Sequence, residues 1–142
     1  MQTETSFEKV SSFVKDQVLF GTDPYIRSMP YGYKINGFMI KKSNNIWQLF
    51  DQRHQHRHDF NNRRIAVLAA IMLIKNKQAE FTQLQKLDRS LHIFDADRMH
   101  YNDLYRKNPF CGVYQARIDR VEQGIDCIKL SLSQMEKSVN LL

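Results

Sequence analysis

The chain of 142 residues, 42% hydrophobic and 25% charged, has the length and balance of one soluble domain able to build its own core. Its longest apolar run falls far short of the roughly 18 residues that cross a bilayer. Two cysteines make neither a metal knuckle nor a disulfide framework. With no charged and apolar leader expected at its start, the chain reads as an intracellular or virion protein, not a secreted or membrane one. The net charge of +6 is uneven: residues 1–76 carry 11 Lys and Arg against 6 Asp and Glu, and residues 77–142 carry 10 against 9.

Residues 6–20 read as a helix. Thr5 and Glu8 form a capping box, Phe7, Val10, Val14 and Val18 make one apolar stripe, and Gly21 suits the residue after the last turn. Residues 21–33 read as a loop, because Asp23-Pro24, Met29-Pro30 and Tyr31-Gly32-Tyr33 all oppose a helix. Tyr25, Tyr31 and Tyr33 are expected to pin that loop to the domain. Stacking on nucleobases beside Arg27 and Lys34 is their alternative use.

The periodicity then changes to two. Phe38 and Ile40 alternate with Met39 and Lys41, Ser43-Asn44-Asn45 supplies turn chemistry, and Ile46, Gln48 and Phe50 alternate with Trp47 and Leu49. After a turn at 51–53, residues 55–58 read as a third, short strand. Such a meander needs a partner layer, since isolated hairpins are marginal in water. That partner is next in sequence: residues 65–74 are ten consecutive apolar residues, which no helix can carry with one face in water. Asn61 is the expected N-cap, Phe60 its staple to Ile65, and Trp47 the largest contact between meander and helix. The segment Lys75-Asn76-Lys77-Gln78 either breaks this helix or carries it into the next; propensity does not decide.

The second half is more regular. Leu84, Leu87, Leu91, Phe94, Arg98, Tyr101 and Tyr105 follow a heptad seam. Beyond the breaker at 108–112 a second seam runs Tyr114, Ile118, Val121, Ile125, Ile128, Leu132, Met135 and Val139. Two helices of nearly 28 residues, about 42 Å each, joined by a short connection predict an antiparallel hairpin. Arg98 is the wrong residue for a seam, and counting from the loop places it opposite Glu122, an expected pair that fixes register. Gly124 interrupts the second seam helix at a cost of roughly 1 kcal/mol against Ala, which predicts close approach of another helix or chain.

The residues that carry chemistry are few. Lys41, Lys42, Arg53, Arg57, Arg63 and Arg64, opposed locally by Asp51 and Asp59, would attract phosphate or an acidic surface, or form a plain solvated face. His54, His56 and His58 would share one face of a strand, about 6.6 Å apart, a spacing suited to zinc, copper, nickel or iron; the alternative is a solvated outer face. On the third element, His92 with Asp88 and Asp95, and His100 with Asp97 and Asp103, are expected to be solvent-facing pairs, because a di-iron site needs matching motifs on a second helix. Neither Cys111 nor Cys127 has the signature of a nucleophile, and no phosphate-cradling glycine loop or other cofactor motif appears.

The layout of Trp-bearing hairpin, apolar helix and long helical hairpin resembles, over most of the chain, small proteins encoded by tailed bacteriophages, marine ones especially. That resemblance implies a virion or phage-regulatory component and carries no site residues. The sequence therefore predicts a single α+β domain, mostly α: an N-terminal helix, a small antiparallel meander on a buried helix within 1–76, and the helical hairpin in 77–142. The expected function is a non-enzymatic interaction or assembly protein that contacts a protein partner or its own copy through the hairpin. A nucleic-acid-binding module built on the basic 41–64 region is the alternative, and a metal-binding protein built on the histidine strand the third.

Overall fold

The computed structural model describes residues 26–29 and 32–139. Five antiparallel strands form a meander in sequence order: β1 (Ile26–Met29), β2 (Gly32–Ile35), β3 (Phe38–Ser43), β4 (Ile46–Phe50) and β5 (His56–Phe60). Three helices follow: α1 (Arg63–Ile74), α2 (Gln78–Lys107) and α3 (Gly112–Ser138). The fold is α+β and mostly helical. The helix expected over 6–20 lies outside the described residues.

The sheet is larger than periodicity suggested. Residues 26–29 and 32–35, read above as part of a loop or its edge, are strands. A sequence that opposes a helix does not oppose a strand. Asn36 and Gly37 join β2 to β3 with φ of 47° and 87°, the left-handed pair that suits a two-residue hairpin. An Asn-Gly dipeptide before Phe38 was the available signal for β2.

One face of the sheet is apolar. Ile40 and Leu49 are Cα partners across β3 and β4, and both are fully buried, with Ile35 and Phe60 beside them. Helix α1 lies on that face, touching β3, β4 and β5 on one side and α2 on the other. All of residues 65–72 are buried, so the helix has no solvent face over two turns, as its composition requires. Trp47 is half-buried and packs against this core.

The ends of α1 are sharply defined. Asn62, one residue later than expected, is the N-cap, its side chain accepting from the Ile65 N–H at 3.1 Å. At the other end Asn76 adopts φ 58°, its N–H donates to the Leu73 carbonyl, and the Lys77 N–H donates to the Met72 carbonyl. This Schellman arrangement breaks the chain between α1 and α2.

Helices α2 and α3 form the antiparallel hairpin. Ile118, Val121, Ile125, Ile128, Leu132, Met135 and Val139 are all buried, as are Leu84 and Leu91 of α2, and Phe81 one turn earlier packs edge-on against Phe60 of β5. The Phe94 ring packs on Gly124, where a Cβ would stand only 2.8 Å from the ring. Close helix approach is what this glycine permits.

Two carboxylates are buried between layers. Asp88 of α2, expected at the surface, is 2% exposed; it accepts from the Asn61 and Asn62 backbone N–H groups and from the Asn61 amide at 2.9–3.1 Å. Glu136 of α3 is 1% exposed and takes a bidentate pair from Arg64, whose guanidinium also donates to Ser133 Oγ at 3.2 Å. Asp88 ties the start of α1 to α2, and Arg64 ties it to α3.

Candidate functional site

The six cations singled out above do not form one surface. Arg64 is an internal strut to Glu136. Lys42 and Arg63 lie over the Trp47 ring, 5.5 and 5.9 Å from its centre, while Lys41 lies 5.3 Å over Phe50. Leu49 faces the core, so strand alternation puts Trp47 on the core side and Phe50 on the opposite face. Arg53 and Arg57 belong to a different place again, the turn between β4 and β5 and the start of β5.

That turn is built around Asp51. Its Oδ1 accepts from the Arg53 and Gln55 backbone N–H groups at 2.8 and 3.0 Å, while its own N–H donates to the Gln55 carbonyl at 2.9 Å. The Arg57 guanidinium stands 3.6 Å from Oδ2. The Gln55 N–H foremost, with the Arg53 N–H and the Arg57 and Arg53 charges, holds the Asp51 carboxyl below its ordinary value despite an opposing contribution from burial. Gln52 braces the turn from outside, donating to the Asn36 carbonyl at 2.8 Å. Between this turn and the α1–α2 junction lies a cleft of about 590 Å³, lined by Arg53, Arg57 and Lys77 and by apolar Phe38, Leu73 and Ile74.

The three histidines are dispersed. His54 sits in the turn at φ 62°, not on a strand. A register shift between Leu49 and Phe50 lets Phe50 pair with His56 while Leu49 pairs with His58. This bulge turns His56 onto the Phe50 face, where its ring contacts Phe50 edge-on and its Nε2 lies 2.6 Å from Asp59 Oδ1. His58 stays on the core side, against Phe60 and within 3.1 Å of the Gln85 amide. Alternation alone predicted one shared face; the bulge removes it. Among the described residues no group of three or more His, Cys, Asp and Glu is placed to hold a metal ion.

Arg98 does not reach Glu122. Its Nη2 donates to Asp95 Oδ1 at 3.0 Å on its own helix, and Glu122 is exposed. Arg98 is half-exposed, and a carboxylate one turn back on its own helix lies nearer than one across the seam.

The hairpin itself offers the most distinctive surface. Buried positions of α2 end at Leu91 and those of α3 begin at Ile118. Beyond them Met99 is 72%, Phe110 101% and Val113 58% exposed. A side groove of about 440 Å³ runs between the two helices here, with Phe94, Tyr101, Val113, Arg117 and Arg120 in its walls and Arg117 lying 5.7 Å over the Tyr101 ring. No described helix is long and apolar enough to cross a membrane. No protein-family model, curated protein or solved structure matches the chain.

Proposed function

We propose that this is a non-enzymatic interaction protein whose contact surface is the outer half of its helical hairpin. One observation carries the reading: the hairpin outruns the domain it is built on. Helix α2 has 30 residues, about 45 Å, whereas α1 beneath it has 12, about 18 Å. A core of this size needs no such length. The overhang carries large apolar side chains in water, and its groove mixes aromatic residues with arginine, the composition that dominates binding at protein interfaces. Its occupant is a protein, either a partner chain or a second copy. A role in building a phage particle is the narrower form of this proposal and rests on the resemblance of layout alone.

The test is a tip variant, Phe110→Ser with Val113→Ser, compared with wild type by sedimentation velocity over a concentration series and by affinity capture. The expected result is self-association or a captured partner that the variant loses at unchanged melting temperature. A wild-type chain that stays monomeric and captures the same proteins as the variant would sink the proposal.

A further inference from the structure

We propose that the cleft between the 51–55 turn and the α1–α2 junction binds a small phosphorylated molecule with an apolar body, of mononucleotide size. This site lies away from the hairpin tip and does not rest on the interaction reading.

Charge is the first argument. Arg53, Arg57 and Lys77 line the cleft against the one carboxylate of Asp51. That carboxylate is turned inward: its Oδ1 is engaged by two backbone N–H groups of its own turn. Arg57 pairs with Asp51 Oδ2 only loosely, at 3.6 Å and beyond hydrogen-bond range, so a closer acceptor can compete for its planar donors. No ion pair among the described residues holds the Arg53 guanidinium or the Lys77 ammonium. Two guanidiniums and an ammonium around one opening match a phosphate, which accepts planar paired donors on its oxygens. The negative end of α1 and the positive end of α2 meet here and offset one another, so the side-chain cations set the local field.

Shape supplies the rest of the ligand. A cleft of about 590 Å³ falls inside the range of roughly 300–1,000 Å³ typical of small-molecule sites. Phosphate alone would leave most of it filled with water. Phe38, Leu73 and Ile74 form an apolar part of the lining, and Gln55 and Gln78 add amides able to read a polar edge. The walls are already in place before any ligand arrives. Asp51 closes the turn on one side, Gln52 clamps it to Asn36, and the Asn76 and Lys77 N–H groups cap α1 on the other. The backbone frame is thus set in advance, and the cost left to binding is the ordering of the exposed Arg53 and Arg57 side chains.

The experiment is calorimetric titration of the full chain with AMP, adenosine and inorganic phosphate, with amide chemical shifts followed in parallel. AMP should bind, and adenosine and phosphate should each bind at least about tenfold more weakly, the size of one lost charge-assisted contact. Arg53→Gln combined with Lys77→Gln should weaken AMP by about tenfold or more at unchanged melting temperature, and the Phe110→Ser, Val113→Ser variant should bind AMP as wild type does. Shifts on AMP addition should centre on residues 51–57 and 77–78. Failure of AMP to saturate at millimolar concentration, unchanged affinity in the double variant, or shifts centred elsewhere would overturn the site. Phosphate binding as tightly as AMP would overturn the apolar body.

Discussion

Asp88 accepts hydrogen bonds from two backbone N–H groups while almost wholly buried, so removing it strands the donors that begin α1. Asp88→Ala should cost about 2–4 kcal/mol in urea unfolding, from two orphaned donors, and Asp88→Asn less, because one oxygen remains; equal loss in both would refute the pairing as the cause. The Arg64–Glu136 pair should respond asymmetrically. Glu136 is 1% exposed but the Arg64 side chain is 30% exposed. Arg64→Ala leaves a buried carboxylate alone and should cost about 3–5 kcal/mol, whereas Glu136→Gln leaves a guanidinium that reaches water and should cost about 1–2 kcal/mol. The reverse order in denaturant titrations would contradict this account. Asp51 makes a pH prediction. Its folded pKa lies below the ordinary 3.8, so the stability it contributes is complete above that value and is lost as pH falls through the lowered one. The stability gap between wild type and Asp51→Asn should therefore hold steady from neutral pH down to about 5 and shrink below about 4; a gap independent of pH would exclude the carboxylate's charge as its source. None of these partners was readable in advance. Asp88 looked like a surface carboxylate because its partners are backbone groups 26 and 27 residues away, and periodicity carries no information about them.

The elements were more legible, because each obeys a local rule. Both heptad seams, the short connection between them and the buried apolar helix follow from spacing alone, since a helix must bury its apolar stripe. Where two elements meet, spacing was not enough. The bulge at Leu49 and Phe50 separates His56 from His58, and Asp95 on its own helix takes Arg98 in place of Glu122. Gly124 is the instructive position, because its intrinsic and packing effects oppose. Gly124→Ala gains roughly 1 kcal/mol of helix propensity but places a Cβ 2.8 Å from the Phe94 ring. No net gain is expected in wild type, and Gly124→Leu should lose about 1–3 kcal/mol through overpacking. In a Phe94→Leu background the clash is relieved, so Gly124→Ala should there become stabilising. The same change in both backgrounds would show that the Phe94 contact does not determine why glycine stands here.

At the scale of the molecule, stability should be graded along the hairpin. Near α1 the two long helices belong to a layered core: sheet, then α1, then hairpin, with residues 65–72 at its centre. About 18 Å of α1 cannot underlie about 45 Å of α2, so the outer turns must rest on the α2–α3 seam. That seam weakens outward: Phe94, Arg98, Tyr101 and Tyr105 are only half-buried where Leu84 is fully so. Few buried apolar contacts mean a low cost of local opening. Hydrogen exchange should therefore show amides of 65–72 exchanging only through global unfolding, and amides of 95–105 and 113–117 through openings of much lower free energy. Uniform protection along α2 would disprove the gradient. The gradient also bears on recognition. Binding at Phe110 and Val113 would cover the least stable part of the fold, so a bound partner should raise protection there while leaving 65–72 at the global limit. A ligand in the Arg53–Lys77 cleft, seated on the core end, should leave the outer turns as labile as before, which separates the two sites by a single measurement.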